Sequence, residues 1–293
     1  MTRHFLTGEE LTSGELAALL DRALELKADR RASQALAGRS VALVFEHPST
    51  RTRVSFEVGV CELGGHAVVL RPDELQLSRG ESVRDTALVL SRFVAAVAVR
   101  TGPHEVVAEL AADASVPVIN MLTRDHHPCQ VLADLLTLRE RFGRLEGLKV
   151  AYVGDGNNVT RSLTLLGAKA GVEVAVATPG RLALADAPSG TSVTEDPAEA
   201  AEAAHAVYTD VWVSMGDDGG GAQERRSLLR PYQLNADLLS RARDDAVALH
   251  CLPAHPGEEI TGEVLYGPQS AVWDQAENRL HAQKALMELL IGS

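Results

Sequence analysis

A chain of 293 residues, 45% hydrophobic and 23% charged, has the material for two ordinary globular cores of about 150 residues each. Its formal net charge of -12 argues against nucleic acid and anionic membrane as partners, since both need clustered basic surface, yet a small anion can still bind locally. Three scattered cysteines, Cys61, Cys129 and Cys251, form no CxxC pair, and neither a signal-like segment nor an apolar run of about 18 residues is present, so a soluble cytoplasmic protein is expected.

In chain order, Ser13 is expected to cap a helix carrying Leu16, Leu19, Leu20, Ala23 and Leu24 at helical spacing. Residues 41–45 form an apolar run that reads as a buried strand. The stretch Ser49-Thr50-Arg51-Thr52-Arg53 then opens a helix with Ser49 or Thr50 as cap. Val54, Val58 and Cys61 are expected on its inner face, and Gly64-Gly65 ends it. A strand at 66–70 leads into a polar loop at 72–81, and Ser82-x-x-Asp85 reads as a capping box for a helix through Phe93. A strand at 95–100, a helix at 103–113 and a strand at 116–120 continue the alternation. Four strands separated by helices predict an α/β fold with a parallel sheet covered on both faces and ligand loops at the strand C-terminal ends.

A helix from Pro128 to about Phe142 is long enough to bridge two domains, and a second series follows: strand 148–153, helix 159–170, strand 172–177, a helix within 197–204, and strands 206–208 and 246–250. From Asp274 a last helix carries Ala276, Leu280, Ala285, Leu286 and Leu289 and is expected to return to the first domain. The expected division is a first domain of 1–140 plus the helix 274–293, and a second of 141–273. Gly216 to Gly221, with two aspartates, reads as a mobile loop and a candidate lid.

Several motifs carry chemistry. In the STRTR stretch two hydroxyls and two guanidiniums meet the N–H groups of a helix start, a ready anion site, although a capped helix with two solvated arginines fits the same residues. His127-Pro128-Cys129-Gln130 opens the bridging helix. His127 offers a donor to a carbonyl and Gln130 an amide partner, and Gln76 and Arg100 follow strand runs and could add contacts. Gly154-Asp155-Gly156-Asn157-Asn158 follows a strand, but position 159 is Val where the dinucleotide fingerprint asks for glycine, and no acidic residue ends the next strand. Asn158 reads either as a ligand for a zwitterionic head group or as a helix cap. Asp210 suits a cationic amine. Cys251 next to His250 raises covalent catalysis, but strand neighbours point to opposite faces, which places His250 badly as its base.

Taken together, FEHPSTRTRVSFE, HPCQVLADLLT, GDGNN, DVWVSMG, HCLP and AENRLHAQKAL resemble the aspartate/ornithine carbamoyltransferase superfamily over nearly the whole chain, and its ornithine-using branch most. The resemblance implies transfer of the carbamoyl group from carbamoyl phosphate to the side-chain amine of L-ornithine, giving L-citrulline and phosphate in arginine metabolism, with no metal or organic cofactor. It implies that Ser49, Thr50, Arg51, Thr52, Gln76, Arg100, His127, Gln130 and Arg279 bind carbamoyl phosphate, and that Asn158, Asp210, Ser214 and Met215 hold ornithine. Cys251 and Leu252 are implied between the two, touching carbamoyl phosphate. Arg51, Arg100, His127, Asp210 and Cys251 form the implied catalytic set, in a homotrimer with sites at subunit interfaces. An aspartate-using relative is expected to read HPLPR where this chain has His250-Cys251-Leu252-Pro253-Ala254. The chain departs from the pattern at His47, at Pro256 and in a short 178–196 segment.

Overall fold

The structure, a computed structural model, describes residues 2–75, 80–184, 187–188, 190–213 and 221–292. These fall into two compact units, Met1–Leu136 with Glu277–Ser293, and Thr137–Ala276.

The first unit holds α1 (Ser13–Ala28), β1 (Ser40–Phe45), α2 (Thr50–Glu62), β2 (His66–Leu70), α3 (Val83–Leu90), β3 (Ala96–Arg100), α4 (His104–Asp113) and β4 (Val118–Leu122), then most of α5 (Pro128–Phe142). Its four strands pair in parallel in the order β2-β1-β3-β4. Every residue of β3 is buried, as expected of a strand covered on both faces. Because the chain leaves β1 toward β2 on one side and β3 toward β4 on the other, the order reverses between β1 and β3. There Phe45 and Arg100 are the last paired residues. A crevice at such a reversal, beyond the strand C-termini, is where open α/β sheets take ligands.

Three local expectations are corrected. Thr12, not Ser13, caps α1, in a capping box with Glu15. The box pulls the Glu15 carboxyl down to about 2, the largest cause being its hydrogen bond with the Thr12 backbone. The buried face of α2 is Thr52, Phe56, Gly59 and Val60, while Val54 and Cys61 are exposed. The far end of the chain decides this. A Cβ on Gly59 would sit 3.3 Å from both Lys284 Cγ and Met287 Cε of α11 (Val272–Ile291), so that side of α2 must face the last helix. Third, α3 ends at Leu90 rather than Phe93. As expected, Gly64 ends α2. At φ +82° it lets the Gly65 N–H reach the Val60 carbonyl (2.9 Å) and its own reach that of Cys61 (3.0 Å).

The second unit contains β5 (Lys149–Val153), α6 (Asn158–Lys169), β6 (Glu173–Ala177), β7 (Ser192–Thr194), α7 (Pro197–Ala201), β8 (Ala206–Thr209), α8 (Ala222–Leu229), α9 (Ala236–Leu239), β9 (Val247–His250) and α10 (Gly262–Leu265). Its parallel sheet runs β7-β6-β5-β8-β9, so the reversal falls between β5 and β8. The short elements β7, α8, α9 and α10 were not anticipated from periodicity, which needs a longer window to register. An apolar core including Ala151, Val153, Val207, Trp212, Leu234 and Ile260 supports the sheet.

Candidate active site

In the first unit the polar residues gather at the β1/β3 reversal. Ser49 caps α2, its hydroxyl accepting from Thr52 N at 3.4 Å, which leaves the helix-start N–H groups of Thr50 and Arg51 without intrahelical partners. Thr52 is fully buried and its hydroxyl accepts from Arg279 Nη2 at 2.6 Å, joining α2 to α11. Arg100 ends β3 at 9% exposure. A backbone bond from Glu46 N to Arg100 O (2.9 Å) and one from Thr101 Oγ1 to Glu46 clamp the ends of β1 and β3 together.

His127 starts α5 from a turn in which Thr123 N donates to His126 O at 2.8 Å. Burial holds its imidazole well below the ordinary value of 6.5, with the positive charges of Arg279 and Arg100 adding to the effect and a hydrogen bond with the Met121 backbone opposing it. His127 is therefore uncharged at neutral pH, facing two guanidiniums. Gln130, also buried, donates from Nε2 to Asp134 (2.8 Å), and its Oε1 makes no hydrogen bond among the described residues. Cys129 is no nucleophile: burial raises its thiol to about 12, and its sulfur donates to Asn120 O.

The second unit repeats the arrangement at its own reversal. Asn157, after β5, caps α6 by accepting from Val159 N (3.0 Å) and Thr160 N (3.1 Å), and donates from Nδ2 to Asp210 Oδ2 (2.9 Å), just beyond β8. Asp210 Oδ1 accepts from Cys251 Sγ (2.6 Å) and from Val211 N (2.8 Å). Burial, then the charge of Asp210, pushes the Tyr152 phenol well above 10, so it stays a donor toward Asn157 Oδ1. His250 does not serve Cys251. Its Nε2 donates to buried Glu259 (3.1 Å) and its Nδ1 accepts from Leu252 N (2.8 Å), a pairing that fixes the turn after β9 while Leu252 sits at φ +60°.

The structure thus brings Thr52, Arg100, His127 and Arg279 together in one unit, with Ser49, Thr50 and Arg51 on the first turn of α2 and Gln130 one turn into α5. In the other unit Asp210 and Cys251 are in contact. Gln76, Ser214 and Met215, and most of the anticipated lid, lie outside the described residues. The cap assignment is corrected from Asn158 to Asn157; Asn158 is the first residue of α6. Asn157 and Glu259 are the residues sequence reasoning missed. The doubled asparagine gave a signal for the first, since an N-cap precedes the first helical residue. Among the described residues two sets bring three potential metal-ligand atoms within 4.8 Å of one another, Asp210, His250 and Cys251, and His255, Glu258 and Glu259. In each set hydrogen bonds already engage donors, Cys251 with Asp210 and His255 N with Glu259.

Residues 3–140 match the carbamoyl-P binding domain of the aspartate/ornithine carbamoyltransferases, and residues 146–290 match their Asp/Orn binding domain. The chain is 54% identical over 306 residues to an ornithine carbamoyltransferase of Acidothermus cellulolyticus, covering 100% of this chain and 98% of that one. It is 51% identical to one of Methanoculleus marisnigri with the same coverage. Among solved structures, the ornithine carbamoyltransferase of Pyrococcus furiosus superposes with a TM-score of 0.94 at 46% identity, covering 99% of this chain and 97% of that one. That of Thermus thermophilus gives 0.91 at 46% identity with 99% of both chains covered.

Proposed function

Since the chain belongs to the aspartate/ornithine carbamoyltransferase family, we propose from that premise how its residues perform the reaction. The protein is an enzyme that transfers a carbamoyl group from carbamoyl phosphate to ornithine. The side-chain amine attacks the carbamoyl carbon, a tetrahedral oxyanion forms, the C–O bond to phosphate breaks, and the departing phosphate takes the amine proton. Citrulline and phosphate result. No protein nucleophile is needed.

In our reading Ser49, Thr50, Arg51 and Thr52 receive the phosphate at the positive end of α2, with Arg100 and Arg279 neutralising its charge. Gln76 completes this set. His127, Gln130, Cys251 and Leu252 hold the carbamoyl group. The observation that carries the reading is His127, buried and kept neutral beside Arg100 and Arg279. With its N–H side engaged by the Met121 backbone, an uncharged imidazole keeps its other nitrogen as an acceptor, which suits the amino function of the carbamoyl group, while the arginines supply the fixed charge for the developing oxyanion. A binding protein would have no use for such a cluster. Ornithine, in this reading, is held by Asn158, Asp210, Ser214 and Met215, with Asp210 as the negative partner for its amino groups and Cys251 fixing the orientation of that carboxylate.

In the same reading the enzyme acts in arginine metabolism in the cytoplasm as a homotrimer. Support for the setting comes from three cysteines, none in a disulfide, and from the lack of any helix, among the described residues, long and apolar enough to cross a membrane. Support for assembly comes from Leu88, Val89 and Phe93, which leave α3 and the turn after it with large apolar side chains in solvent, Phe93 at 74% exposure. The site reading is tested by steady-state kinetics on two variants. His127→Ala is expected to lower kcat by about 100-fold or more, and Asp210→Asn to damage turnover of ornithine while carbamoyl phosphate still binds. Wild-type kinetics in both would refute it.

A further inference from the structure

One ion pair in the second unit has no part in the reaction as described. Arg225, on α8, pairs through Nη2 with the carboxylate of Asp155, in the turn between β5 and α6. Surface ion pairs usually matter little. This one differs on the acid's side, because the Asp155 side chain is only 8% exposed against 33% for Arg225, so removing the guanidinium withdraws a charge partner from a nearly buried carboxylate, which must shift or be resolvated to compensate.

What would move is the turn that orients Asp210. The Asp155 carbonyl accepts from Asn157 N at 2.8 Å and from Thr160 Oγ1 at 2.9 Å, so Asp155 and Asn157 belong to one short hydrogen-bonded loop. Asn157 in turn holds Asp210 Oδ2, and Asp210 Oδ1 holds Cys251. The loop has little slack on its other side. Gly156 N donates to Leu182 O at 3.1 Å, and a Cβ on Gly156 would collide with that same carbonyl. Charge points the same way. Asp155 and Asp210 are both nearly buried and both act on the Tyr152 phenol, so two carboxylates share one neighbourhood. Arg225 pairs with the first and leaves the second as the acid available to an ammonium group.

We propose that Arg225 is a positioning residue for ornithine, acting through Asp155 and Asn157 on Asp210. The proposal rests on the placement of ornithine at Asp210 given above. It assigns Arg225 no contact with either substrate.

The test is steady-state kinetics, with each substrate varied in turn, on Arg225→Ala, Arg225→Lys, Asp155→Asn, the Arg225→Ala/Asp155→Asn double variant and Arg226→Ala, with Asp210→Asn as reference. Arg226 is the control because it sits next in α8 but pairs with Glu258, at the surface. Arg225→Ala is expected to raise the KM for L-ornithine roughly tenfold and leave that for carbamoyl phosphate within about twofold. Arg225→Lys should recover much of the loss, Arg226→Ala should behave as wild type, and the double variant should be no worse than its worse parent, as coupled partners require. A thermal melt on each variant separates positioning from stability, and should the alanine variant not fold Asp155→Asn decides the matter, being expected to raise the KM for L-ornithine while leaving that for carbamoyl phosphate within about twofold. The proposal is overturned if Arg225→Ala matches Arg226→Ala, if both KM values rise together, or if the two single effects add. If Asp210→Asn itself leaves ornithine kinetics unchanged, the placement of ornithine has failed. If Asp210→Asn is damaged and Arg225→Ala is not, only the role of Arg225 has.

Discussion

Arg51 occupies the first turn of α2, where the unpaired N–H groups and positive dipole end already favour an anion, and its planar guanidinium adds two parallel donors for phosphate oxygens. On the proposed placement of the phosphate, removing it takes away an electrostatic contact of roughly 3 kcal/mol in the transition state, so Arg51→Ala is expected to lower carbamoyl transfer by about 100-fold with the fold intact. Near wild-type turnover in a folded variant would remove Arg51 from the site. At this scale the sequence was legible in placement: Arg100, His127 and Arg279, singled out far apart in the chain, gather in the first unit, and Asp210 meets Cys251 in the second. It was less legible where two neighbours offer the same chemistry. Asn157 and Asn158 are interchangeable on paper, and only the helix start separates the cap that grips Asp210 from the residue after it. Glu259 was missed because its partner, His250, is nine residues away across a turn.

Helices and strands with strong local signals were read closely: α5 spans the residues expected, β2 likewise, and the other long strands lie within two residues of expectation. The face of α2 was misread because the 54, 58, 61 stripe and the 52, 56, 60 stripe are equally helical, and the choice depends on α11, more than 200 residues later in the chain. This yields a sharp contrast. Phe56→Ala, emptying a fully buried site, is expected to cost about 3–5 kcal/mol in urea unfolding, while Val54→Ala should change stability by less than about 0.5 kcal/mol. Equal losses would return Val54 to the inner face. α11 also brings a buried lysine, since Lys284 Nζ donates to Glu62 (2.8 Å) and to Arg30 O (2.6 Å). Lys284→Met is expected to be destabilising, because it removes the buried one of the two cations that Glu62 pairs with, Arg30 being the other, and takes the donor from the Arg30 carbonyl, whereas an unchanged melting temperature would make that pair incidental.

For the whole molecule, burial is the largest cause holding His4, His127, His205 and His281 below 6.5. The unfolded chain therefore takes up protons near pH 6.5 that the native chain refuses. The stability tied to these groups is present above that pH and is lost as pH falls toward their folded values. Denaturant melts from pH 7.5 to 5 should show falling stability, with a shallower fall in His127→Gln; rising stability on acidification would contradict this. Assembly has its own check. Phe93→Asp should reduce a trimer to single chains in sedimentation equilibrium, and a wild-type protein that sediments as a single chain would end the homotrimer proposal. The substrate choice proposed above rests on the second unit, where Asp210 would face the acceptor and Cys251 and Ala254 stand where an aspartate-using relative is expected to carry proline and arginine. A substrate carboxylate facing Asp210 without a cation would cost several kcal/mol, and acetylating the α-amine of ornithine would remove a charged donor. The most direct measurement is therefore the specificity constant of the purified protein with carbamoyl phosphate and, in turn, L-ornithine, L-aspartate, N-acetylornithine and putrescine. L-ornithine is expected to exceed each of the others, with aspartate essentially inert; a higher value for any of the three would contradict the account.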